Sequence, residues 1–187
     1  EAEKGLDAVA VGEMGIGNTT AASAVTAAIT RQPAEVCVGR GTGIGDAQLE
    51  HKVAVVKKAL EVNRPDPADP VDVLAKVGGF EIGGLAGVIV GAAARRIPVV
   101  LDGFISTSAA LIACGLNAAV RHYLIAGHRS AEFGHGLCLD YLELEPLLDL
   151  GMRLGEGTGA ALGLLLVEAA SRLLAEMATF DEAGVSR

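Results

Sequence analysis

The chain has no tryptophan, two tyrosines and four phenylalanines among 187 residues. A site that stacks a flat base between aromatic rings is hard to build from this chain alone. Cysteine is scarce as well: Cys37, Cys114 and Cys138 stand far apart, none in a C-x-x-C pair, and their number is odd. That argues against a disulfide framework and reads as buried free thiols in a reducing cytoplasm. Basic charge is outweighed, with 15 Lys and Arg against 23 Asp and Glu, a net charge of −8 and a pI of about 5.0. No basic patch is available to neutralise a phosphate backbone, so nucleic acid is not an expected partner, although a small anion held by local dipoles is compatible. No basic start followed by an apolar run reads as a signal peptide. The longest uncharged apolar stretch, residues 82–94, has 13 residues, short of the ~18 needed to span a bilayer. It reads as a buried helix, and no membrane partner is expected.

Apolar residues and glycine are abundant. Hydrophobic residues make up 51% and the mean hydropathy is +0.44, which suits one sizeable core and disfavours disorder. The 25 glycines cluster in motifs, which suggests close backbone approach to a ligand. Residues 6–11 form an apolar run that ends in G-E-M-G-I-G-N-T-T, a strand entering a glycine loop. Asn18 or Thr19 then caps a helix over 21–30. A second glycine loop covers 39–45, with Asp46 as cap of a helix over 47–62. Leu49, Val53, Val56 and Leu60 share one face of that helix. Lys52 borders the stripe, where its ammonium can serve a site or simply snorkel to solvent; Lys58 points away. After the break at 64–70 come a helix over 71–77, a glycine-opened helix through 94, a strand over 97–103, a helix over 106–114 and a strand over 123–126. A helix over 157–177 closes the chain, with a solvated stripe of Glu168, Arg172 and Glu176. Strand, glycine loop and helix in repetition imply an α/β fold of Rossmann-like type, a parallel sheet covered by helices. Ligands of such folds bind at the carboxyl ends of strands, where G-E-M-G, L-D-G and A-G-H-R-S all fall.

Two carboxylates stand out. Glu156 lies between glycines in M-R-L-G-E-G-T-G-A-A, next to the start of the last helix. This is a setting for a positioned general base, or for a surface acid stabilised by the helix dipole. Glu13 sits in the first glycine loop, as a site acid or as a loop-ordering one. Neither glycine run matches a phosphate loop of the Walker type or a clean dinucleotide fingerprint. His128 and His135 share one segment, but without close cysteine partners apart from Cys138 they do not make a metal site.

Six motifs in order, G-E-M-G-I-G-N-T-T-A-A-S-A, G-R-G-T-G-I-G-D, G-G-F-E-I-G-G-L-A-G, L-D-G-F-I-S-T-S-A-A, A-G-H-R-S-A-E and M-R-L-G-E-G-T-G-A-A, resemble the nicotinate-nucleotide:dimethylbenzimidazole phosphoribosyltransferase family. The resemblance covers essentially the whole chain. It implies phosphoribosyl transfer from nicotinate mononucleotide to a benzimidazole in cobalamin lower-ligand synthesis, with Glu156 as general base; a truncated non-catalytic nucleotide-binding module and a relative using another acceptor base are the alternative readings. It also implies that Glu13 lies near the ribose or acts as a supporting carboxylate, that Gly15, Gly41, Lys52 and Ser130 hold the nucleotide and its phosphate, and that Arg153 and Leu154 border the carboxylate and the base pocket. No cofactor or metal is implied; the expected partners are the two small substrates and a second copy in a homodimer, in the cytoplasm. Family members are much longer, so this chain resembles their second half. The expected division is 1–150 as nucleotide-binding domain and 151–187 as active-site loop plus the C-terminal helix of a small helical domain. Without its packing partner that helix is expected to expose an apolar face and to favour self-association.

Overall fold

The computed structural model describes residues 1–40, 43 and 45–184. Three short strands, β1 (Val9–Val11), β2 (Val99–Leu101) and β3 (Leu124–Ala126), form a parallel sheet in the order β1-β2-β3. Val9 pairs with Val99, and Val99 with Leu124. β2 lies between two neighbours and is fully buried, so a continuous V-V-L run suits it. Parallel strands need long crossovers. The first carries α1 (Thr19–Thr30), α2 (Ala34–Cys37), α3 (Asp46–Asn63), α4 (Pro70–Val77) and α5 (Phe80–Ala94); the second carries α6 (Phe104–Leu116) and a 3-10 segment.

Two helices form the centre of the core. α1 is buried continuously from Ala22 to Ile29, and α6 from Phe104 to Ala113. Their alanine, serine and threonine content permits this, because small side chains let neighbouring helices approach from several sides and the hydroxyls bond back to helix carbonyls. Thr26 donates to Ala22 O, and Ser108 to Ile105 O.

α7 (Phe133–Leu142) lies in a segment with no predicted element. Gly134 is in a helix because the space its Cβ would fill is taken by the Phe104 ring and the Cys37 carbonyl, each about 2.6 Å or less away. The glycine marks close packing of α7 on α2 and α6. Three expectations need correction. Asn18 stands at the N-cap of α1 but its side chain makes no capping bond; it turns to Glu13. Asp46 is the first residue of α3, behind Gly45, and its carboxylate pairs with Arg40. α5 is buried along one face only, through Ile82, Ala86 and Ile89, while Phe80 and Val88 are exposed. The three cysteines are free thiols; Cys37 and Cys138 are buried and Cys114 partly so.

α8 (Thr158–Glu176) follows the sheet as the last helix. Its first two turns pack on the sheet through Gly159, Ala160 and Gly163, and the rest projects, exposing Leu165, Leu173 and Leu174. By length and composition it is long and apolar enough to cross a membrane. Its charged stripe, with Arg172 paired to Glu168 and Glu176, suits a helix with one wet face.

Candidate active site

The carboxyl ends of the strands open into a cleft of about 480 Å³. Three loops build it. The first, after β1, folds around Glu13, whose Oε2 accepts hydrogen bonds from the Gly15 N–H and from Asn18 Nδ2. Gly15 and Gly17 both have left-handed φ of 71°, a conformation that favours glycine. Glu13 is therefore a loop-ordering acid and a cleft-lining one at once.

The second loop follows β2 and carries Asp102, which sequence reading noted only as the end of an L-D-G motif. Asp102 is 2% exposed. Its Oδ2 accepts from Gly157 N at 3.0 Å, and its Oδ1 from Gly159 N at 2.7 Å and Ala160 N at 3.3 Å. A strand-borne carboxylate thus satisfies the orphan amides at the start of α8 from 55 residues upstream, and its charge complements the helix dipole. The buried ring of His128 stands beside it, Nε2 3.6 Å from Oδ1.

The third loop follows β3. Residues 146–152 run alongside it, with Leu147 N–H donating to Ala126 O, Arg129 N–H to Leu148 O and Ala131 N–H to Met152 O. This returning strand of chain delivers residues 153–156 to the cleft. There the Glu156 N–H donates to the Glu13 carbonyl at 2.9 Å, stitching the third loop to the first. Gly12 lies so near Gly157 that a Cβ on it would come within 2.5 Å of the Gly157 backbone, which explains a glycine at this crossing.

Glu156 is held at φ +58° between Gly155 and Gly157, both also left-handed. It precedes α8 by two residues and belongs to the turn before the helix, which has Gly157 at its cap. The side chain is exposed at the mouth of the cleft, with no hydrogen-bond partner among the described residues. Left-handed backbone in a non-glycine residue costs about 1–2 kcal/mol, so the fold holds Glu156 there at the expense of stability.

Lys52 reaches the cleft from the side of α3. Its ammonium donates to Thr19 Oγ1 at 2.9 Å and to Gly39 O at 3.4 Å. Desolvation lowers its pKa, and the nearby Glu132 carboxylate opposes that shift. A partly dehydrated ammonium at the rim of a cleft attracts an anion more strongly than a solvated one. Ser130 also lines the cleft, as do Arg153 and Leu154, the latter 66% exposed. An adjoining apolar shelf shares Arg153 and Leu154 with the cleft and continues over Met152, Ala161 and Leu162. Gly41 lies outside the described residues. All the other expected site residues meet at this one cleft. The contributions of Asp102, Thr19 and His135 escaped sequence reading, because each acts through a partner distant in the chain or on a helix that was not foreseen.

His135 is fully buried behind the cleft. Its pKa is pushed down to about 3, chiefly by burial, with help from the positive charge His128 would carry and from Arg129. Folding therefore holds it neutral. Below its ordinary value of 6.5 the unfolded chain takes up a proton that the folded chain does not. Its contribution to stability is complete above that value and is lost as pH falls toward 3, at about 1.4 kcal/mol per unit. Urea denaturation between pH 7 and 5 is expected to show this slope in excess of that of a His135→Gln variant.

Parallel strands with glycine turns, and acidic side chains and a lysine around an open cleft, define an α/β protein with its cleft at the carboxyl edge of the sheet, the place where ligands of such folds bind. Residues 1–185 match the model of a phosphoribosyltransferase family. Nicotinate-nucleotide–dimethylbenzimidazole phosphoribosyltransferase of Desulforudis audaxviator is 64% identical over 187 residues, all of this chain and 53% of that protein. The protein of the same name from Geobacter sulfurreducens is 57% identical over 183 residues, 98% of this chain and 52% of its own length. The crystal structure of CobT from Thermus thermophilus superposes with a TM-score of 0.94 at 49% identity, covering 100% of this chain and 55% of that one. The chain belongs to this phosphoribosyltransferase family, and spans about half the length of the curated relatives it matches.

Proposed function

We propose that this chain carries the donor site and the general base of a nicotinate-nucleotide:dimethylbenzimidazole phosphoribosyltransferase. The observation that carries the reading is the junction of the two glutamate loops, Glu156 N–H on Glu13 O, at the mouth of a cleft with Lys52 and Ser130 on its wall. Lys52 and Ser130, with Gly15 and Gly41, hold nicotinate mononucleotide and its phosphate, and Glu13 lies near its ribose. The acceptor ring rests on the apolar shelf by Leu154 and Arg153. One azole nitrogen attacks the anomeric carbon from the face opposite nicotinate. The bond to the pyridinium nitrogen breaks, its electron pair neutralises that nitrogen, and nicotinate leaves. Glu156 takes the proton from the other azole nitrogen, so no cation accumulates on the product ring. Inversion gives alpha-ribazole 5′-phosphate, and positioning with charge stabilisation of an oxocarbenium-like centre supplies most of the acceleration. No cofactor is required.

The exposed leucines of α8 support an acceptor pocket completed from outside this chain, with α8 as part of a small helical domain over 151–187 beside a nucleotide-binding domain over 1–150. A cytoplasmic homodimer that binds neither nucleic acid nor membrane accords with the acidic charge and the free thiols.

Calorimetry with nicotinate mononucleotide is the test. The chain is expected to bind it, and Lys52→Ala to weaken binding about ten- to 150-fold, the loss expected for one charge-assisted phosphate contact of roughly 1.5–3 kcal/mol. Absence of binding by the unsubstituted chain would refute the donor site; equal binding by Lys52→Ala would remove Lys52 from it.

A further inference from the structure

Behind the cleft, one imidazole joins the two loops that flank its anion end. The Ser130 N–H donates to His135 Nδ1 at 2.8 Å. Nδ1 is therefore the acceptor, and the ring proton resides on Nε2. Nε2 faces Thr107 Oγ1 at 3.0 Å, and the Thr107 hydroxyl donates to Gly103 O at 2.8 Å. With Thr107 donating to the carbonyl, its remaining lone pair accepts the Nε2 proton, and every link has a defined direction. His135 and Thr107 are fully buried and Ser130 nearly so.

We propose that His135, held as the Nε2–H tautomer between Thr107 and Ser130, is the positioning residue for the anion end of the cleft. The inference rests on the donor-site reading and adds how that site is kept in register. Because the Ser130 amide points inward at the ring, Ser130 meets a phosphate through its hydroxyl. That hydroxyl accepts the Glu132 N–H at 3.3 Å, which leaves its own proton free to donate to a ligand. Gly103, whose carbonyl ends the relay, lines the same cleft, and a Cβ placed on it would lie 3.8 Å from Ser130 Cβ. The ring thus fixes the spacing between the loop after β2 and the loop after β3. It acts on the substrate through Ser130 and does not touch it.

Two amide replacements separate the two ends of the ring. The carbonyl of asparagine can take the place of Nδ1, and the amide nitrogen of glutamine the place of Nε2. His135→Gln keeps the Thr107 link and loses the Ser130 link. It is expected to raise the Kd for nicotinate mononucleotide about tenfold, and to speed hydrogen exchange of the Ser130 amide. His135→Asn is expected to recover most of both. A merely structural role would make the two variants alike, so equal loss, or no loss, in both overturns the proposal. Nitrogen NMR of the unsubstituted chain gives a readout free of variants and of ligand: a proton on Nε2 and coupling from the Ser130 amide to Nδ1 are expected, and a proton on Nδ1 overturns the proposal. If the unsubstituted chain fails to bind the mononucleotide, the donor-site reading falls and this inference with it. If it binds and His135→Gln binds equally well, the inference alone fails.

Discussion

Glu156→Gln is expected to lower the rate of nicotinate release by about 10²–10⁴, the usual contribution of a general base. Binding of the mononucleotide should change little, because the carboxylate stands at the mouth of the cleft and, in the proposed mechanism, serves the acceptor. Steady-state kinetics with dimethylbenzimidazole on the protein that carries this chain would check it; a kcat within threefold of the parent would remove Glu156 from the role. Glu156→Gly provides the stability control. It relieves a left-handed backbone at φ +58°, worth about 1–2 kcal/mol, and adds glycine's unfolded-state entropy of roughly 0.4–1 kcal/mol. Urea denaturation is therefore expected to find it no less stable than the parent while turnover collapses. Loss of activity without loss of stability identifies a residue kept for chemistry.

Asp102→Asn has the opposite signature. The carboxylate holds three amides at the entrance to α8, with Gly157 on one oxygen and Gly159 and Ala160 on the other. An asparagine accepts at one position only and sets its NH2 against a donor at the other. Breaking a buried charge-assisted bond costs roughly 1.5–3 kcal/mol, and a stranded donor about 1–3 more. A fall of about 3 kcal/mol in urea-derived stability is expected from these terms, with amide exchange from Gly157 to Ala160 quickened. Turnover should fall with it, since Glu156 adjoins the freed segment. Unchanged exchange at Gly157 would show that α8 is seated by its packing alone. The packing is close: a Cβ on Gly159 would come within 1.9 Å of the His128 ring, which is itself buried.

The positions of the strands, α1, α3, α5, α6 and α8 were legible in the chain within a few residues. Each rests on a local signal: a short apolar run, a helical stripe, or a glycine or proline break. α7 was not legible. No element was predicted there, and Gly134 is a glycine because the Phe104 ring leaves no room for a side chain, a contact made in the tertiary structure. The meeting of Glu13, Lys52, Ser130 and Glu156 followed from resemblance and from the rule that ligands gather at strand ends. Local pattern alone left each of them an ordinary reading as a cap, a snorkelling lysine or a surface acid. Asn18 shows the limit: by composition a helix cap, it spends its amide on Glu13 instead.

The sequence by itself determined the class of architecture and the residues that can do chemistry, because periodicity, turn residues and side-chain functional groups are properties of short segments. Only the tertiary structure decided which of those residues face one another. Asp102 reaches α8 across 55 residues, His135 sets the amide of Ser130, and the backbone of Glu156 is tied to that of Glu13. The first and the last join loops brought together by the parallel sheet, and no spacing along the chain encodes them; the second is local but depends on α7 being formed.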